Sequence, residues 1–89
     1  MATVRLDGML SEFLRRRTME SGAPTVEALL DELEGDFPRL HHRLRDETRR
    51  VRPFVRVYVN GEEIGSLQGV ATPLSTRDSV EILHSIQGG

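Results

Sequence analysis

Cysteine is absent from this sequence, and so is lysine. Without cysteine there is no disulfide, no thiolate metal site and no cysteine nucleophile. Without lysine there is no Walker-type phosphate grip, no Schiff base and no side-chain amine to carry a modification. All 12 basic residues are arginine. No apolar run approaches the roughly 18 residues of a membrane span. The opening residues Met1-Ala2-Thr3-Val4-Arg5 lack the basic and then apolar pattern of a secretion signal. The expectation is a cytoplasmic protein with no membrane partner.

What remains is a chain of 89 residues, one domain near the small end for a self-supporting core. Its 37% apolar and 29% charged residues suit a globular fold. The sequence finishes in Gly88-Gly89. Two glycines carry no Cβ, leave φ free and pass through a channel that branched residues would block. Such an end suits delivery of the Gly89 carboxylate into another protein's active site; it is equally what a frayed terminus looks like. The expected organisation is one domain over 1–89, with 85–89 a flexible tail.

Thr3-Val4-Arg5-Leu6-Asp7 alternates polar and apolar, so it reads as a half-buried strand with Val4 and Leu6 inward; Gly8 allows a bulge or bend. Glu12 to Met19 is a weaker strand candidate, with Phe13 or Leu14 buried. Arg15-Arg16-Arg17 within it reads as a charged edge, or as an anion or partner contact. After the turn Ser21-Gly22-Ala23-Pro24, Thr25 is a good helix N-cap with Glu27 in the first turn. Val26, Leu29, Leu30 and Leu33 form one apolar stripe, and Gly35 fits the residue that ends the helix. Pro38 fits the first turn of a second short helix, with Leu40 and Leu44 inward and Phe37 at the corner.

Residues 39–56 hold seven arginines against Asp46 and Glu47. Nucleic-acid binding would need a clear positive face, preferably with stacking aromatics. The net charge is −2 and this stretch carries only Phe54, so no nucleic-acid partner is expected. His41 and His42 are adjacent, about 100° apart on a helix, and cannot make the i, i+4 pair that holds a metal. In Phe54-Val55-Arg56-Val57-Tyr58-Val59 the valines face one way and Phe54, Arg56 and Tyr58 the other. Asn60-Gly61 is a strong hairpin signal before a short return strand, Glu62-Glu63-Ile64. Gly65 to Leu74 reads as a loop stopped by Pro73, and Asp78 as a turn residue. Val80 and Ile82 point inward again, and Leu83 outward. The expectation is an α+β fold, one main helix on one face of a mixed sheet. Phe54, Tyr58 and Leu83 would then form an apolar docking patch on the open face, with Arg56 between them.

Taken together, the chain resembles the MoaD/ThiS class of β-grasp, ubiquitin-like sulfur carriers. The blocks that carry the resemblance are Pro24-Thr25-Val26 with Leu29-Leu30, Phe54 to Glu62, Ala71-Thr72-Pro73-Leu74, Asp78 to Leu83, and Gly88-Gly89. The long connection from Asp36 to Pro53 is similar to that of carriers supplying sulfur for cysteine or natural-product synthesis. Three residues depart from the pattern: His84 stands where members often have proline, and Ile86-Gln87 where small residues are common.

The resemblance implies a cosubstrate rather than an enzyme, with no bound cofactor. A ThiF/MoeB-like activating enzyme would use ATP to adenylate the Gly89 carboxylate, and a sulfur donor would convert it to a thiocarboxylate. A sulfur-accepting biosynthetic enzyme would then consume it. In that scheme Gly89 carries the sulfur, Gly88 gives passage, and Phe54, Arg56, Tyr58, Leu83 and Ile86 dock partners. The alternatives are a small subunit of molybdopterin synthase, or a ubiquitin-like modifier that forms isopeptide bonds. A plain binding module would not need Gly88-Gly89.

Overall fold

The computed structural model describes residues 1–84, the side chain of Phe13 apart. Five strands make one mixed sheet: β1 (Ala2–Gly8), β2 (Thr18–Ser21), β3 (Val55–Val59), β4 (Glu62–Glu63) and β5 (Ser79–His84), in the order β2-β1-β5-β3-β4. β1 and β5 run parallel at the centre; the other pairs are antiparallel. Two helices complete the layout, α1 (Met9–Leu14) and α2 (Val26–Asp36). Among the described residues no helix is long and apolar enough to cross a membrane.

The alternation read from the strands puts Val4, Leu6, Val55, Val57, Val59, Val80 and Ile82 in one core with Val26, Leu29, Leu30 and Leu33 of α2. Thr25 caps α2, its hydroxyl accepting from the Ala28 N–H at 3.1 Å, a contact worth about 1 kcal/mol. Asn60 and Gly61 both take positive φ, 53° and 87°, the geometry of the tight hairpin turn that matches strand twist. Asp78 accepts from the Ser75 N–H at 2.8 Å and from the Asn60 side chain at 3.0 Å, which ties that hairpin to the start of β5.

Four local expectations change. The weak strand over Glu12–Met19 is instead α1 followed by β2. Leu10 and Leu14 lie four residues apart, the spacing of a helix face; Leu10 is buried and Leu14 packs on the core. Arg15 at φ 55° closes that helix on the Ser11 carbonyl. The arginine run is therefore an exposed turn, not an edge strand, with Arg16 5.8 Å over the Phe37 ring. Secondly, Gly35 lies inside α2 rather than beyond it. Pro38 ends the helix, because the residue before a proline is driven out of helical geometry; Phe37 sits at φ −128°, ψ 82°. Thirdly, β4 stops at Glu63, and buried Ile64 opens a 3₁₀ turn. Fourthly, Phe54 precedes β3 in a turn closed by the Val55 N–H on the Arg52 carbonyl.

The long connection after α2 is anchored by Leu40 and Leu44, both fully buried. A polar lock joins them. Arg45 is only 3% exposed and grips Glu34 through two bonds, 3.1 and 2.8 Å, and Asp31 through a third at 2.7 Å. Arg49 also pairs with Asp31. Arg45 and Arg49 are therefore held by acids of α2.

Candidate functional site

Strand parity decides which side chains the sheet presents away from α2. From β1 these are Thr3, Arg5 and Asp7; from β3, Arg56 and Tyr58; from β5, Ser79, Glu81 and Leu83. The register sets their neighbours: Arg56 stands opposite Leu83, Tyr58 opposite Glu81, and across the parallel pair Arg5 meets Glu81 and Asp7 meets Leu83. Tyr58 also faces Glu63.

Arg56 is exposed, whereas Tyr58 and Leu83 are half-buried. They do share the open face, on a diagonal across β3 and β5. Phe54 does not join them. It packs against the core, its ring edge-on to His84 with centroids 5.1 Å apart. The expected three-residue apolar patch is thus a correction: the face carries two half-buried apolar side chains in a charged frame. Ile86, Gly88 and Gly89 lie outside the described residues.

The frame has its own chemistry. Arg5 bonds Asp7 at 3.2 Å and Glu81 at 3.1 Å. Hydrogen bonding with Glu81 holds the Asp7 carboxyl below its ordinary value, helped by Arg5. The same contact, with burial and the charge of Asp7, pushes Glu81 up. The two carboxyls therefore compete for one arginine beside Leu83, a mixed-charge surface suited to polar recognition around a small apolar centre. The parity of β1 could have placed Arg5 and Asp7 on this face; their juxtaposition with Glu81 depends on the parallel pairing, which alternation does not reveal.

Two further residues emerge at the end of the body. His84, noted in the sequence only as a departure from a pattern, is 7% exposed on the core side of β5. Gly8 pairs directly with it. Neither belonged to the expected docking set. Among the described residues no group of three or more His, Asp or Glu side chains could hold a metal ion; His41 and His42 are exposed, with ring centroids 4.0 Å apart.

Comparison with known proteins matches the ThiS family to residues 4–89. The sulfur carrier protein CysO of Mycobacterium tuberculosis is 30% identical over 83% of this chain and 82% of its own length. The small archaeal modifier protein 3 of Haloferax volcanii is 37% identical over 73% of this chain and 70% of its own. In the crystal structure of the Amycolatopsis orientalis BexX/CysO complex, one chain superposes with a TM-score of 0.84 at 26% identity, covering 100% of both chains. The fold is β-grasp, as in these ubiquitin-like relatives.

Proposed function

The chain belongs to the ThiS family, and from that we propose that it is a sulfur carrier whose Gly89 carboxylate is the working group. The observation that carries this reading is the extent of the family match, which runs through Gly88-Gly89. The kinship with CysO supports it.

A carboxylate resists attack because its charge is delocalised and its leaving group would be oxide. A ThiF/MoeB-like partner overcomes this by letting a Gly89 oxygen attack the α-phosphorus of ATP, which releases pyrophosphate and forms an acyl-adenylate. Sulfide then attacks the acyl carbon and AMP departs; where the terminal sulfur of a persulfide attacks instead, AMP departs to leave an acyl disulfide, and a second thiol cleaves its S–S bond and leaves as a disulfide. The product is –COS⁻, a soft nucleophile for a sulfur-accepting enzyme. This chain supplies no catalytic group. Gly88 lets the chain enter a narrow channel, and Arg56, Tyr58 and Leu83 dock the partner. From Ser85 to Gly89 the extended reach is at most about 17 Å, enough to enter a buried site while the body stays outside. The solved BexX/CysO complex supports the expectation of a partner enzyme.

Intact mass tests the reading. With ATP, a sulfur source and the activating enzyme, the chain should gain the difference between one sulfur and one oxygen. A variant lacking Gly89 should keep its mass and its melting temperature. A charged Gly89 deletion, or an unchanged wild type beside a demonstrably active enzyme, would end the proposal. The kinship with an archaeal modifier favours a second reading, attachment of Gly89 to a lysine of another protein. That outcome would appear as a covalent adduct heavier by this whole chain less one water.

A further inference from the structure

The described body ends in a tightly built corner. Gly8 closes β1 and pairs with His84, the last described residue of β5. The Gly8 backbone lies at φ 67°, ψ −137°, a region that other residues enter only under strain. A Cβ there would stand 2.5 Å from the His84 carbonyl oxygen and 3.1 Å from Leu83 Cδ1. His84 in turn is packed edge-on to Phe54 and lines a small cavity together with Met9, Leu10, Leu40 and Arg43. Its Nδ1 is buried with no hydrogen-bond partner among the described residues. A glycine-only backbone and a ring contact thus meet at the Gly8–His84 pair.

We infer that Gly8, Phe54 and His84 form a collar that fixes the backbone at His84 and so sets the heading of the chain at that point, and that they are positioning residues for delivery of the Gly89 carboxylate. The delivery role rests on the sulfur-carrier reading; the collar itself does not. With only about 17 Å of reach, the heading set at His84 limits where the Gly89 carboxylate can arrive. Misplacing a reacting group by about 1 Å can cost 100-fold in rate.

The cysteine-free chain allows a clean test. A nitroxide on Ser85→Cys broadens the amide signals near the tail root, and the broadened set reports its direction. Gly8→Ala and His84→Ala should each move that set, and His84→Phe, which keeps a ring against Phe54, should restore it. An unmoved set overturns the collar. Should Gly8→Ala not fold, the His84 pair decides alone. Pyrophosphate exchange with the activating enzyme tests delivery: His84→Ala should lower kcat at least 10-fold with KM unchanged, at a temperature where the variant is fully folded, and His84→Phe should recover it. Normal kcat with a displaced label overturns the positioning role. Absence of exchange in the wild type beside an active enzyme overturns the sulfur-carrier reading, and with it delivery, while the label experiment still decides the collar.

Discussion

Replacing Arg45 by methionine isolates what holds the long connection to α2. The guanidinium is 3% exposed and its main partner Glu34 is 12% exposed, whereas Asp31 is 51% exposed and keeps Arg49. Methionine fills much of the same space, so the loss is chiefly electrostatic: the Glu34 carboxylate stays in a covered site without its two-pronged partner. Stranding one member of a buried pair costs about 3–5 kcal/mol. The water around Asp31 places this case near the lower end, about 3 kcal/mol. A domain of 60–100 residues loses about 4–8 °C of melting temperature per kcal/mol, so the midpoint should fall by about 12–24 °C. Circular dichroism during heating and denaturant titration measures both quantities. Adding Glu34→Leu should recover most of the loss, because apolar replacement of a whole buried pair is often neutral. A single-variant cost below about 1 kcal/mol, the value of an exposed pair, would refute the buried-lock account. So would a double variant no better than the single one. Activation by the partner enzyme, measured well below the midpoint, should not change, because Arg45 lies on the helix side of the sheet.

Leu30 is fully buried in the α2 stripe, and Leu30→Ala should cost about 2–5 kcal/mol in denaturant titration; a smaller loss would mean that α2 does not close the core. Leu83→Asp and Tyr58→Asp should shift the unfolding midpoint far less than Leu30→Ala yet weaken binding to the activating enzyme, which calorimetry can follow; matched losses of stability and binding would place both residues in the core instead. Acid should destabilise the fold. Asp31 is held below its ordinary value by the Arg45 hydrogen bond, Asp46 by the Thr48 hydroxyl and Asp78 by the Asn60 amide. A depressed carboxyl stabilises the folded state above its unfolded pKa, about 3.9, and that contribution is lost as pH falls through the folded value. Glu81, raised by Asp7, has the opposite sign, and its contribution is lost as pH rises through its folded value. Denaturant midpoints at pH 7 and pH 3 should show the net acid loss, and Arg45→Met should reduce the Asp31 part of it, the remainder being held by Arg49.

The sequence by itself determined the periodic parts of this protein. Alternation at Val4 and Leu6, Val55 to Val59, and Val80 and Ile82, with the stripe from Val26 to Leu33, is written into neighbouring residues, so each face could be assigned without the fold. Asn60-Gly61, Thr25 and Asp78 act within a few residues and were equally legible. The Gly88-Gly89 ending and the blocks around it were enough to suggest the family. Short or interrupted elements were less legible. Leu10 and Leu14 offer too few turns for their helical spacing to stand out, and Phe54 shares the parity of Tyr58 but sits in a turn before the strand begins. What only the tertiary structure decided depends on residues far apart in the chain. Arg5 meets Glu81, and Gly8 meets His84, because β1 and β5 pair in parallel. Arg45 looks in sequence like its exposed neighbours, and its burial follows from Asp31 and Glu34 on a helix more than ten residues earlier. Local patterning records which face a residue takes, but the partner across that face is set by how the chain closes on itself, and solvation of a charge follows the partner.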